Sequence, residues 1–193
     1  MALTDGDVVL PGRGFLFYNP TVGAESPFTA ATVGAANLEA DTVGTGWLNF
    51  GHTSEENSVS MGRDSEEGEM KGTWQKSGLR KTPPKVAWSF TIPALQMSNH
   101  VFDMYFGVGD KSEEDVFHVL PGAVSVEGAF CLVLVDGNVR VPIYVPKVSY
   151  EGDDAPEFGA EDFTEFSIKA SVLDHTGAKG LMSIYKAGLG TPA

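Results

Sequence analysis

The residues with the most chemical potential in this chain are four histidines, His52, His100, His118 and His175, one cysteine, Cys131, and an acidic run, Glu151-Gly152-Asp153-Asp154. The histidines are scattered, and none stands at a metal-ligand spacing. There is no His-Glu-x-x-His pair, no phosphate-cradling glycine loop and no Gly-x-Ser-x-Gly elbow. Nothing signals a Ser–His–Asp triad. The acidic run lacks the Asp-x-Asp-x-Asp-Gly spacing of a calcium loop and reads as a solvated connection. Cys131, within Ala129-Phe130-Cys131-Leu132-Val133, reads as a small buried core residue. A single cysteine allows neither an intrachain disulfide nor a metal site built on several thiolates. The sequence therefore predicts no catalytic residue, no metal and no cofactor. Of the three tryptophans, all possible platforms for a sugar or peptide, Trp88 has the alternating neighbours of a core strand. Trp74 lies in a polar stretch and is the one placed to meet a partner.

The elements that would hold these residues are mostly strands. The chain has 193 residues, 42% of them hydrophobic, which is enough for a core and argues against disorder. Its 23 glycines and 11 prolines favour short strands and turns over long helices. No stretch approaches the ~18 uninterrupted apolar residues of a membrane span. The start has no basic region followed by an apolar one, so no signal peptide and no membrane insertion are expected. Asp plus Glu number 26 against 13 Lys plus Arg, a net charge of −13, which is the wrong sign for gripping nucleic acid.

Along the chain, residues 1–12 read as an arm and Phe15–Tyr18 as a strand. Residues 20–46 read as a long connection with a helical turn near 35–40, and Trp47–Thr53 as a strand. Val86, Trp88, Phe90 and Ile92 alternate with small or polar residues, the period-two pattern of a strand. Ser98 or Asn99 can cap a helix over about 98–107 that Gly107 ends. Val101, Phe102, Tyr105 and Phe106 form its packing stripe, flanking the strands. Phe130–Val135 and Val139–Val145, joined through Asp136-Gly137, predict a hairpin with a type I′ turn. Pro142 and Pro146 push its second strand toward an edge or a bulge. Residues 149–162 read as an acidic connection, Thr164–Val172 as a strand wet on one face, Leu181–Tyr185 as a final strand and 187–193 as a tail.

Residues 54–84 differ in character. Glu55, Glu56, Arg63, Asp64, Glu66, Glu67, Glu69, Lys71, Lys76, Arg80 and Lys81 dominate, acidic first and basic last, with Trp74 among them. Strand-like patches at 58–61 and 69–75 flank a turn-like Asp64–Gly68. The segment reads as a long hairpin or extended loop projecting from the core, and long loops in compact domains are usually functional.

The order of several motifs resembles the major tail tube proteins of long-tailed bacteriophages, particularly those of actinobacterial phages. These motifs are Gly14-Phe15-Leu16-Phe17, Gly46-Trp47-Leu48-Asn49-Phe50-Gly51-His52-Thr53-Ser54 and Glu69-Met70-Lys71-Gly72-Thr73-Trp74-Gln75. Further on come Phe102-Asp103-Met104-Tyr105-Phe106-Gly107, Val135-Asp136-Gly137 with Tyr144-Val145-Pro146-Lys147, and Asp162-Phe163-Thr164-Glu165-Phe166. The resemblance implies an all-β fold, two antiparallel sheets packed as a sandwich or half-barrel with one flanking helix, in a single domain spanning 1–193. It implies a structural subunit of hexameric rings stacked into a helical tube, of the non-contractile kind, that conducts the genome. Its partners would be itself, a tape-measure protein and tail terminator and tip proteins, with viral DNA only a transient passenger in the lumen. Assembly would take place in the host bacterial cytoplasm and the product would lie in the virion tail.

On that reading the charged residues of 54–84 and Trp74 are inter-subunit contacts, and the arm and tail bridge rings. The competing expectation is a monomeric β-sandwich module that binds carbohydrate or a receptor. Deleting residues 55–80 should leave a folded monomer that makes no tubes under the electron microscope; tubes of ordinary length from the deleted chain would overturn the assignment of that segment.

Overall fold

The computed structural model describes residues 8–122, 124–160 and 162–185. Much of the proposed arm and the whole of the tail lie outside the described residues. The chain is mostly β, with strands β1 (Arg13–Asn19), β2 (Thr42–Val43), β3 (Trp47–Asn49), β4 (Ser60–Glu66), β5 (Met70–Thr73), β6 (Lys76–Lys81), β7 (Lys85–Ala94), β8 (Val126–Asp136), β9 (Val139–Gly152), β10 (Phe166–Val172) and β11 (Ser183–Ile184). One short helix, α1 (Asn99–Phe106), follows β7.

Nine of these strands form one antiparallel sheet in the order β2-β3-β1-β8-β9-β10-β7-β4, with β11 beside β9; β5 and β6 pair only with each other. This corrects the expectation of two separately bonded sheets. The apposition of a sandwich is reached by curling a single sheet. Phe90 on β7 and Phe130 on β8 have ring centroids 5.1 Å apart. Their strands are three steps apart in the sheet order, about 14 Å if the sheet were flat. The long strands β8 and β9 make this possible, because between Gly128–Val148 and Phe130–Val145 two steps of β8 face three of β9, a bulge that bends the pair there.

Curling encloses the main core: Leu16, Tyr18, Phe90, Ile92, Phe130, Val145, Val148, Tyr150, Phe166 and Ile168, closed by Val101 and Met104 of α1. The helix stripe thus gains Met104, which is buried alongside Val101, while Phe102, Tyr105 and Phe106 are partly buried against the core. Met104 escaped notice because the aromatic residues around it dominate the pattern. Ser98 stands at the N-cap without a capping bond and turns its hydroxyl to the His100 ring instead; Gly107, at φ 84°, ends the helix in a conformation few other residues adopt.

A second core lies on the opposite face of β1 and β8, where Phe17, Ala129, Cys131, Val133 and Val135 meet Phe28, Val33, Leu38 and Trp47. The 20–46 connection is the lid of this core and is fastened through its backbone carbonyls. Arg140 donates to the carbonyls of Val33 and Ala36 at 2.8 and 2.7 Å, Trp47 to that of Glu25 at 3.0 Å, and Asn49 to those of Leu38 and Ala40. Trp47 is therefore core, not platform. Its strand stops at Asn49, because Asn49 turns its side chain back to this lid and to the Gly51 N–H. The helical turn in this connection is a single 3₁₀ turn, Val33–Ala35.

Two further expectations need correction. In the β8–β9 hairpin Asp136 pairs with Val139, so the loop is Gly137-Asn138. Only Gly137 has positive φ, 54°, the order expected of a II′ turn rather than I′. Strand β9 is central, which corrects the edge, but the bulge is there: Pro146-Lys147 together face the single residue Ala129. Pro146 is accommodated in the gap between the two partners on that side, β11 at Ile143–Tyr144 and β10 at Val148–Gly152. Phe130 sits at the bend and in the contact that closes the sheet. Phe130→Ala should cost about 3–5 kcal/mol in denaturant unfolding, whereas an equal truncation at exposed Leu79 should cost less than about 0.5.

Candidate functional site

The 54–84 segment is built from nested hairpins. β4 pairs with β7, from Ser60 opposite Thr91 to Glu66 opposite Lys85. The expected turn at Asp64–Gly68 is instead the end of a strand. Its charges cost nothing there, because every residue of β4 is exposed. The true tip is Trp74-Gln75, between Thr73 and Lys76 of the β5–β6 hairpin. Glu55 and Glu56 lie before β4; Arg63, Asp64 and Glu66 are on it; Glu67 and Glu69 link it to β5. Lys71 is on β5, and Lys76, Arg80 and Lys81 are on β6. Arg63 lies opposite Trp88, its guanidinium 5.7 Å from the indole centroid. Among the described residues, the four ion pairs all lie outside this segment.

The structure also groups residues that sequence reasoning did not single out. On β7 and β10 alternate residues point into the main core, and the others form a polar face. Directly opposed residues share a face, so the register aligns Ser60, Thr91, Lys169 and Glu151 across β4, β7, β10 and β9. Beside them run Gly62, Ser89, Ser171 and Ser149, followed by Glu127 on β8. These small hydroxyl side chains are half-buried at most. The signal was present in the sequence as Ser and Thr alternating with Phe, Ile and Ala, but alternation alone does not reveal that four strands bring those residues into line.

The structure does not gather the chemically able residues. Among the described residues, no three His, Cys, Asp or Glu side chains cluster to hold a metal ion. No described helix is long and apolar enough to cross a membrane. Cys131 is buried, and burial pushes its thiol far up. Ser98 Oγ lies 3.3 and 3.2 Å from the two ring nitrogens of His100, aligned with neither in particular. An open groove of about 600 Å³ is lined by Glu39, Asp41, His52, Gln96 and His100, without convergence on one point.

Among the described residues the chain presents two open sheet edges, β2 and β4, and a hairpin whose strands pair only with each other. The phage tail tube protein family matches residues 1–192, and the chain belongs to that family. It is similar to the major tail protein Gp23 of Mycobacterium phage L5, 28% identical over 177 residues that cover 91% of this chain and 89% of that protein. The corresponding Gp23 of Mycobacterium phage D29 is 27% identical over the same share of each chain. The protein is thus a structural component of a phage tail.

His100 is stacked on Tyr18 and edged by Phe50, and desolvation lowers its pKa from the ordinary 6.5. The folded state resists protonating it, so its contribution is intact above about pH 6.5 and is lost as pH falls through the lower folded value. His100→Gln should flatten the stability slope just below pH 6.5 in urea titrations. An unchanged slope would show that the loss comes from the carboxylates.

Proposed function

We propose that this chain forms hexameric rings that stack into the hollow tube of a non-contractile phage tail and conduct the genome at ejection. The observation that carries the reading is the uncovered polar face of β4, β7, β10 and β9, ending at an unpaired edge strand of seven residues. An open strand edge seeks a partner. Four strands from each of six copies make a barrel far wider than the roughly 16 strands at which an aqueous channel opens. In that assembly the curled sheet is one stave, with its apolar faces sealed by α1 and the 20–46 lid and its hydroxyl face turned to the lumen.

The charge follows. Six copies at −13 each carry −78 per ring. On the polar face Asp64, Glu66, Glu127 and Glu151 outnumber Lys85, Lys147 and Lys169, with Lys147 paired to Glu127. An acidic wall repels phosphate and lets DNA pass without being held. In this reading the chain acts as one domain with an arm and a tail that bridge rings. A tape-measure protein occupies the growing lumen, and terminator and tip proteins close the ends. Assembly occurs in the host cytoplasm.

The test is microscopy. Negative-stain images of purified protein at rising concentration should show hollow rings or tubes, and cryo-microscopy should place more acids than bases on the lumen wall. A lumen dominated by Lys and Arg would refute the electrostatic part. A monomer at every concentration that retains a glycan would favour the binding-module alternative, for which exposed Trp74 is the supporting observation.

A further inference from the structure

The β5–β6 hairpin is incomplete as it stands. All ten of its strand residues are exposed, and an isolated two-stranded hairpin is marginal in water. Trp74 at its tip is fully exposed, and Met70 and Leu79 are exposed beside it. Lys71 is directly opposite Arg80, a like-charge pair that opposes the hairpin unless something acidic lies against it. From Met70 to Lys81 there are four bases and no acid. The nearby acids Glu66, Glu67 and Glu69 are at the root, where β4 ends.

The complementary surface is at the other end of the same molecule. Residues 151–165 hold seven acids and no base. Phe158 and Phe163 in this stretch are 76% and 84% exposed. The loop is anchored at its start: Tyr105 of α1 donates its hydroxyl to the Asp154 carbonyl at 2.6 Å, and Asp153 N–H bonds the Ser167 carbonyl at 2.9 Å. Loop 108–124, held to α1 through Phe117 and Phe102, adds exposed Val119, Leu120 and Val124.

The β5–β6 hairpin leaves the sheet at the Lys85 end of β7, and the acidic loop enters at the Ala94 end, where Phe166 pairs. Ten residues of strand separate the two ends by about 30 Å. The root of the hairpin is therefore well separated from its own chain's acidic loop, and a second copy can supply that loop.

We propose that the β5–β6 hairpin of one copy docks on the 151–165 loop of the next. Trp74 packs against Phe158 and Phe163, and Lys76, Arg80 and Lys81 face Glu157 and Asp162. The contact is head-to-tail, so it repeats from copy to copy rather than ending at a pair. It rests on the self-assembly reading and assigns the two surfaces that join.

Two variants test it. One carries Lys76→Glu, Arg80→Glu and Lys81→Glu; the other carries Asp153→Lys, Glu157→Lys and Asp162→Lys. Each sets like charges against one another at the substituted contact positions, so neither should assemble alone, while their equimolar mixture should. All six positions are exposed, so unfolding midpoints should match the unaltered chain. Separately, Trp74→Cys with Phe163→Cys should give an oxidised ladder extending beyond dimers, with buried Cys131 silent. Assembly of both variants alone, no ladder, or a ladder that stops at dimers would overturn the proposal. Ladders without hollow tubes keep the contact and remove the conduit, and tubes without ladders do the reverse.

Discussion

Phe90 and Phe130 touch because a nine-stranded sheet curls over itself, and most of the structure is a consequence of that curl. Curling gives the sheet an inside, which the large side chains of β1, β7, β8, β9 and β10 fill and α1 seals. It also gives β8 two buried faces, since its outer side must then be covered separately. Alternate residues of β8 accordingly serve different cores, Phe130 and Leu132 the inner one, Cys131 and Val133 the outer. A strand buried on both faces reads as a continuous apolar run, which is why Phe130–Val135 shows no alternation.

The two halves of the sheet differ in what they leave uncovered. Around β1 and β8 the chain covers the outer face itself, with a lid held by side-chain bonds from Arg140, Trp47 and Asn49 to backbone carbonyls that would otherwise be buried without partners. Around β4, β7 and β10 the described residues supply no such lid. The residues there are serine, threonine and a few charges that tolerate water. Finishing one face and leaving the other wet is the division on which the proposed channel rests.

Much of this was legible in the sequence where local rules decide. The helix end at Gly107, the alternation of β7 and β10, the hairpin of β8 with β9 and the buried character of Cys131 all follow from short-range patterns. Long-range pairing decides the rest. Asp64-Ser65-Glu66 has turn composition and is strand, because β7 offers it a partner and solvent receives its charges. Trp47 has a platform's composition and is core, because a lid some twenty residues upstream folds over it. The single sheet could not be read as such, because the order of strands is set by which ends meet, and no local pattern records that. The opposition of basic hairpin and acidic loop was half visible: the hairpin's bases stood out, whereas the loop read only as solvated until β7 fixed its position at the far end.

Strand β1 pairs along its whole length with β8, Arg13 opposite Val135 and Asn19 opposite Ala129. More than a hundred residues separate these partners in the chain, whereas β4 and β7 are near neighbours. Closing so long a loop costs entropy before any contact offsets it, so folding of such topologies is slow. During synthesis the nascent chain therefore cannot complete its sheet until β8 has left the ribosome, long after the hairpin has been made. The join between first and eighth strands acts as a timer, withholding a finished sheet until the chain has been made past Asp136.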